Sequence, residues 1–332
     1  MVTYLRDLQQ ALHAILAEDE RVYLLGEDIL DPYGGAYKVT LGLSSAFPER
    51  VLTTPISEAA VTGIAAGMAL RGMKPIVEIM FGDFITLAAD QIINYAAKFR
   101  RMYNNRITLP MVIRTPMGGG RGYGPTHSQS LEKLFLGIPH LKVIAPSIFH
   151  RPGRILQHAI REETGPVLFI EHKLLYAQEL AQEKPHLHLE MDESIPGYPT
   201  GVVRNYDRGT PDVTLITYGG QSLHIERLFD RLAREEIRAV ACVPASIQPL
   251  PIQVLARYAE MSGRAVVVEE GTRAFGWGAE VAAALSEMLW RDLSAPVRRI
   301  GAADTIVPAA KNLEAAMLPS LETIEKIIYE VL

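Results

Sequence analysis

Short runs of Val, Ile and Leu recur along this chain with helical stretches between them, and that alternation constrains its fold more than any other feature. VYLLGE (22–27), VLTTPI (51–56), KPIVEIM (74–80), LPMVIR (109–114), LKVIAP (141–146) and PVLFIEH (166–172) are strand-length and largely apolar. A strand with one solvated face alternates apolar and polar residues; a continuous apolar run fits a parallel sheet covered by helices on both faces. Between these runs lie SEAAVTGIAAGMALRG and a long helix around Phe84–Tyr103. Ahead of them, Leu5, Leu8, Leu12, Ile15 and Leu16 share one helical face behind Thr3 as N-cap. A second series follows: DVTLITYG (212–219), a helix to about Glu235, IRAVACVP (237–244), RAVVVEEG (264–271), a helix near Gly278–Trp290, PVRRIG (296–301) and a terminal helix. The pattern dissolves between the two series into EKPHLHLEMDESIPGYPTG, which reads as a connection, with or without a short hairpin. The prediction is an α/β protein of two three-layer α/β/α domains with mostly parallel sheets, at residues 1–180 and 206–332, joined by a linker at 181–205.

Composition narrows the function classes. A chain of 332 residues exceeds what one core usually serves, which agrees with two domains. Net charge is −5 with no Lys/Arg block, so no nucleic-acid surface is expected. Asp7, Glu18, Asp19 and Glu20 interrupt any signal-like apolar core, and no apolar run reaches the roughly 18–20 residues that span a bilayer. The single cysteine, Cys242, cannot form an internal disulfide, which fits a reducing compartment. A cytoplasmic protein without membrane contact is the expectation.

Two segments can carry chemistry. Thr54-Pro55-Ile56-Ser57-Glu58 stands at a strand-to-helix junction, where ligands gather in parallel sheets. The same residues also serve a plain helix start, with Ser57 as N-cap and Glu58 complementing the helix dipole. The second segment runs from Met117 through Gly-Gly-Gly-Arg-Gly-Tyr-Gly-Pro-Thr to His127, Ser128 and Gln129; its five glycines make a mobile loop able to approach a ligand. His127 is then either an acid/base group or a hydrogen-bonded structural histidine. His186 and His188 lack further ligands at metal-site spacing, and Cys242 in an apolar run reads as a small buried hydrophobe. No Gly-Asp-Gly sequence is present.

Seven strings follow one another along the chain: Gly-Gly-Ala-Tyr-Lys (34–38), Thr-Pro-Ile-Ser-Glu (54–58), Asp-Gln-Ile-Ile-Asn-Tyr-Ala-Ala-Lys (90–98), Thr-His-Ser-Gln (126–129), Leu-Lys-Val-Ile-Ala-Pro (141–146), Val-Val-Val-Glu-Glu-Gly (266–271) and Gly-Trp-Gly-Ala-Glu (276–280). Taken in this order, they resemble the β subunits of the decarboxylating component of pyruvate, branched-chain 2-oxo-acid and acetoin dehydrogenases. The likeness covers nearly the whole chain. It implies a pyrimidine-binding domain, a transketolase-like C-terminal domain, and an α₂β₂ heterotetramer with an α subunit that holds the diphosphate of thiamine diphosphate through Mg²⁺. That division accounts for the missing Gly-Asp-Gly.

By the same resemblance, Glu58 hydrogen-bonds N1′ of the aminopyrimidine, Phe84 stacks on its ring, Met80 lines the pocket, and His127 stands at the mouth to position substrate or assist acyl transfer to lipoyl. Decarboxylating a 2-oxo acid needs a carbon nucleophile that also absorbs the released electron pair, which no side chain supplies and a thiazolium does. A carboxyl group at N1′ helps an intramolecular base take the C2 proton, and such proximity is worth up to ~7–11 kcal/mol in ideal cases. The role requires Glu58 to be buried. Relatives that hold a structural K⁺ through backbone carbonyls do so at positions matching Met111, Ala159 and Ile160. Residues 147–154 (Ser-Ile-Phe-His-Arg-Pro-Gly-Arg) and 244–251 (Pro-Ala-Ser-Ile-Gln-Pro-Leu-Pro) depart from the family pattern; the second bears on docking to a lipoyl acyltransferase core. A split transketolase, an acetoin-cleaving enzyme and a non-catalytic scaffolding subunit are the competing expectations, and the 2-oxo acid itself is not legible.

Overall fold

A computed structural model describes residues 2–184 and 186–332. The chain folds as two compact units, and both borrow segments from the other's stretch of sequence. The first takes residues up to Met117 with Leu134–Ile144 and Arg151–Leu180; the second takes Gly118–Lys133, Ala145–His150 and Ala181–Leu332. Among the described residues, no helix is long and apolar enough to cross a membrane.

In the first unit, β1 (Val22–Gly26), β2 (Val51–Thr53), β3 (Lys74–Glu78), β4 (Met111–Met117), β5 (Lys142–Ile144) and β6 (Pro166–His172) run parallel in the order β5-β6-β4-β3-β1-β2. β4 and β6 are buried along their whole length, as continuous apolar runs in a doubly covered sheet should be. The helices are α1 (Tyr4–Glu18), the short α2 (Leu43–Ala46), α3 (Glu58–Leu70), α4 (Ala97–Met102) and α5 (Pro152–Glu162). Thr3 caps α1 by accepting from the Arg6 N–H at 3.2 Å, and Leu8, Leu12, Ile15 and Leu16 are buried as the period predicts. The buried Asp7 ties α1 to the start of α5: it pairs with Arg151 at 2.6 Å and accepts the Gly153 N–H at 2.8 Å. A Cβ at Gly153 would lie 2.3 Å from the Asp7 carbonyl oxygen, so the two helices meet where only glycine fits. The unusual start of α5 at Arg151-Pro152-Gly153 is thus capped from another helix.

The stretch expected as one helix around Phe84–Tyr103 runs instead as a 3₁₀ segment (Gly82–Ala88), a π-helical segment (Gln91–Ala96) and then α4. Ile85, Ala88, Ile92 and Ala96 are buried at the helical spacing that the sequence shows. The helix type changes in backbone hydrogen bonding, which side-chain periodicity does not report.

In the second unit, β7 (His188–Asp192), β8 (Thr200–Arg204), β9 (Val213–Thr217), β10 (Ala239–Pro244), β12 (Ala265–Thr272) and β13 (Arg298–Ala302) form a sheet ordered β13-β12-β9-β10-β8-β7; β11 is the short Ser246–Gln248. Helices α6 (Ile225–Arg234), α7 (Ile252–Ser262), α8 (Trp277–Met288), α9 (Lys311–Met317) and α10 (Leu321–Val331) complete it. Leu215, Phe229, Val266, Val268, Ile324 and Ile328 belong to its core. Residues 181–205, expected as a linker, carry β7 and β8, which pair antiparallel from His188↔Arg204 to Asp192↔Thr200. An edge strand tolerates the charged, partly exposed residues of β7, and this masks its strand character. His188 pairs there with Asp207 at 2.6 Å, His186 is exposed, and no metal-holding cluster of His, Cys, Asp and Glu occurs among the described residues. Cys242 is fully buried on β10, and burial pushes its thiol pKa up.

Candidate active site

The first unit gathers an acidic and an aromatic group at the carboxyl ends of its strands. Past β2, the Thr54 N–H bonds the Gly26 carbonyl at 3.0 Å, which holds the turn against the end of β1. Pro55 and the strongly exposed Ile56 follow, and α3 opens at Glu58. Ser57 occupies the N-cap position without a side-chain capping bond. A carboxylate serving only the helix dipole works at the surface, yet Glu58 is 6% exposed. Burying a carboxylate is expensive without a partner, which makes this position a candidate for ligand contact. The Thr54 hydroxyl in the same turn is also buried, without a hydrogen-bond partner among the described residues.

Glu27, at the end of β1, was not singled out by sequence. Burial raises its pKa first, and the nearby charges of Glu58 and then Asp28 raise it further; the Ser57 N–H acts the other way. Two carboxyl groups therefore face one another where β1 and β2 end. β3 ends nearby and leads into Met80, Phe81 and Phe84, all half-buried. Phe84 meets Phe81 edge to face at 6.5 Å, and Phe81 meets Tyr37 at 6.1 Å. α3 packs on the Gly82–Ala88 segment, so the elements bearing Glu58 and Phe84 touch. Gly82 permits that path, since a Cβ there would lie 2.3 Å from the Met117 side chain.

Beneath these residues is a buried ion network. Arg114 donates to Glu171 through Nε at 2.8 Å and Nη2 at 2.7 Å, and through Nη1 to Glu78; the Tyr176 hydroxyl donates to Glu171 at 2.7 Å. It ties together the ends of β3, β4 and β6. Burial pushes the Glu78 carboxyl pKa up, with the Arg114 charge opposing. Gly35, at φ +77°, passes so close that a Cβ would meet Glu78 Oε1 at 2.6 Å, which accounts for the second glycine of the 34–38 string. The signal was present in the sequence: VEIM, VIR and FIEH each carry one charge in an apolar run, and buried charges come in partners.

A buried acid, an unpaired hydroxyl and half-exposed aromatic and thioether side chains fit an aminopyrimidine, which needs a hydrogen-bonding edge and an apolar face. Met111 opens β4, and Ala159 and Ile160 lie in the last turn of α5, where carbonyls run out of intrahelical donors. α5 packs on β4, so these three residues stand on touching elements.

The glycine loop belongs to the second unit. Gly118, Gly120, Gly122 and Gly124 all have positive φ, a path that other residues resist. The loop is held at several points. The Gly118 N–H bonds the Gln129 carbonyl at 3.2 Å and the Gly119 N–H bonds Glu270 at 2.7 Å, while the Gly122 N–H bonds Glu314 at 2.7 Å. His127, half-buried, donates its N–H to the Gly124 carbonyl at 3.3 Å, and its Nδ1 is 3.1 Å from the Thr126 hydroxyl. A cavity of about 490 Å³ beside it is lined by Ser128, Ser130, Lys133, Glu270, Asp304 and Thr305 among others.

Residues 1–178 match the family described as "Transketolase, pyrimidine binding domain", and residues 204–324 match "Transketolase, C-terminal domain". The pyruvate dehydrogenase E1 component subunit beta-1, mitochondrial, of Arabidopsis thaliana is 37% identical over 96% of this chain and 85% of its own length. The 2-oxoisovalerate dehydrogenase subunit beta of Bacillus subtilis is 35% identical over 100% and 98%. The acetoin:2,6-dichlorophenolindophenol oxidoreductase subunit beta of Cupriavidus necator is 35% identical over 94% and 92%. Among solved structures, a split gene transketolase described as an inactive beta4 tetramer aligns at TM-score 0.74 and 20% identity, covering 100% of this chain and 98% of the other, a likeness of fold. The chain belongs to the transketolase-like family, among the β subunits of the decarboxylating component of 2-oxo-acid dehydrogenases.

Proposed function

We propose that this chain, with an α subunit in an α₂β₂ heterotetramer, oxidatively decarboxylates a 2-oxo acid and passes the acyl group to lipoyl, with Glu58 bound to thiamine diphosphate. The observation that carries this reading is the burial of Glu58 at the first residue of α3, beside an unpaired buried hydroxyl. Thiamine diphosphate, when bound, supplies the carbon nucleophile and the electron sink that the side chains lack. Glu58 hydrogen-bonds N1′ of the aminopyrimidine and holds a proton at that atom. Phe84 and Met80 give the ring an apolar wall and exclude water. Glu27 keeps a second acid beside Glu58, with its raised pKa limiting the negative charge there. His127 positions the 2-oxo acid or the acyl acceptor.

The α partner supplies the Mg²⁺ ligands, in keeping with the lack of Gly-Asp-Gly here. Exposed apolar side chains on the first unit support such a partner: Ile56 (83%), Met102 (67%), Leu87 (59%), Ile64 (58%) and Tyr103 (55%). A K⁺ held by carbonyls of Met111, Ala159 and Ile160, a lipoyl acyltransferase core as docking partner and a cytoplasmic location complete the proposal. Acetoin cleavage is the second reading, favoured by the equal identity to the Bacillus 2-oxoisovalerate and Cupriavidus acetoin β subunits.

Glu58→Gln, reconstituted with its α partner, keeps its fold and loses at least about 100-fold in kcat, the scale of a lost acid–base group. Assays with 2-oxo acids and acetoin, using an artificial electron acceptor, check this and separate the two substrates. Near-wild-type turnover removes Glu58 from the role.

A further inference from the structure

The glycine loop stands on a carboxylate far away in sequence. Glu314, in α9, is 0% exposed, and its Oε2 accepts the Gly122 N–H at 2.7 Å. Its Oε1 has no hydrogen-bond partner among the described residues. Gly119 passes over the same group: a Cβ there would lie 3.1 Å from Glu314 Oε1 and 3.1 Å from Leu318 Cδ1. Around it, Gly122 and Gly124 approach Ala309 and Lys311, so the loop rests on α9 and the residues just before it.

A buried carboxylate with one oxygen unbonded is costly, and an apolar side chain would complete α9 more cheaply. The hydrogen bond its side chain accepts comes from the loop. Glu270, on β12, performs the matching task at the neck, accepting from the Gly119 N–H at 2.7 Å and the Ser130 hydroxyl at 3.0 Å. Between these two anchors and the Gly118–Gln129 closure, the chain has little freedom. His127 hangs from the Gly124 carbonyl, two residues past the Glu314 contact, so a shift of Gly122 passes directly to it.

We propose that Glu314 is a positioning residue, whose buried carboxylate fixes the tip of the glycine loop and thereby sets where His127 is presented. The proposal rests on the reading of His127 as a group that handles substrate or acyl acceptor. Glu314 touches neither. It acts through backbone, and a misplacement of about 1 Å can cost about 100-fold in rate.

Arg121 lies inside the loop and gives a reporter independent of chemistry, because trypsin cuts after it when the loop opens. In the reconstituted complex, Glu314→Leu keeps the side-chain volume and removes the acceptor, whereas Glu314→Gln keeps an acceptor. Expected for Glu314→Leu are cleavage at Arg121 faster by about tenfold or more and a kcat for acyl transfer lower by about 10- to 100-fold. Glu314→Gln should return both to within about threefold of wild type, as a retained acceptor implies. In a His127→Ala background, Glu314→Leu should cost less than about twofold more, because residues acting as one unit are not additive. Unchanged cleavage at Arg121 in folded Glu314→Leu overturns the proposal, and so does a rate loss that persists in full without His127. Wild-type rates in His127→Ala alone, with accelerated cleavage in Glu314→Leu, refute the role given to His127 while leaving Glu314 as the anchor of the loop.

Discussion

Each unit buries several carboxylates near the ends of its central strands, and each handles their charge differently. In the first, Glu78 and Glu171 share the guanidinium of Arg114, with the Tyr176 hydroxyl as a further donor. In the second, Glu269, Glu270 and Glu314 take hydrogen bonds from backbone N–H groups of Gly278, Gly119 and Gly122. Glu132 there accepts from the Tyr218 hydroxyl, and Glu269 is pushed up to about 8 by burial and by the charge of Glu132. An ion network sets a guanidinium between its buried carboxylates. A cluster held by amides and by a proton instead remains sensitive to pH and to the exact path of its glycines. The first arrangement makes a rigid floor under the proposed pyrimidine pocket. The second holds a loop.

The largest effect expected from breaking this contrast is in the first unit. Arg114→Met removes the shared cation and leaves two buried carboxylates facing each other, a change that costs about 3–5 kcal/mol of stability. Urea unfolding of the β chain, followed across pH, measures it. The loss should shrink in acid, where Glu78, whose carboxyl burial already pushes up, takes a proton. A uniform loss under about 1 kcal/mol would mean that the network is a bystander to packing.

The second unit should respond with the opposite sign. The folded carboxyl of Glu269 is raised to about 8 from its ordinary 4.5, so between those pH values the unfolded chain releases a proton that the folded chain keeps. Stability attributable to this group is therefore intact below pH 4.5 and declines as pH rises toward 8. Glu269→Gln keeps the neutral shape and removes the ionisation, and should stabilise the chain by about 4 kcal/mol at pH 8 while changing little at pH 4.5. Thermal unfolding at the two pH values tests it. Equal shifts at both would show that the Glu132 and Arg299 charges around the group balance out.

Much of this organisation is legible in the sequence. Continuous apolar runs gave the parallel strands of both units, since a doubly covered sheet leaves no reason for polar alternation. Glu58 stands out through the resemblance that the ordered strings carry, since local pattern alone also fits a plain helix start, and it is buried as the proposed role requires. Less could be read where the decisive contact is distant in sequence. Glu27 meets Glu58 only because β1 and β2 pair in parallel, and the loop of His127 is held by Glu270 and Glu314, more than 140 residues on in the chain. Five glycines read as a mobile loop, because glycine reports permitted backbone paths and not the acceptors that select one of them. The connecting segment reads equally with or without a short hairpin, because an edge strand such as β7 can keep the composition of a connection.

The smallest expected effect tests how closely the second cluster depends on its glycines. Gly276 stands at the N-cap of α8 with φ −81° and ψ 172°, a conformation open to any residue, so alanine there introduces no backbone strain. A Cβ at this position would nonetheless lie 2.3 Å from Glu269 Oε2. The carboxyl must then shift away from the Gly278 N–H that it accepts at 3.1 Å, and Val267 crowds the same side through Gly278. Gly276→Ala should cost about 1–2 kcal/mol, the usual scale of overpacking in a well-filled site. In a Glu269→Ala background the obstacle is gone, and most of that cost should vanish, a coupling that a double-mutant cycle by urea unfolding reads directly. An undiminished cost in that background would place the constraint on α8 itself, and the Gly-Trp-Gly-Ala-Glu string would then owe its first glycine to something other than a buried acid.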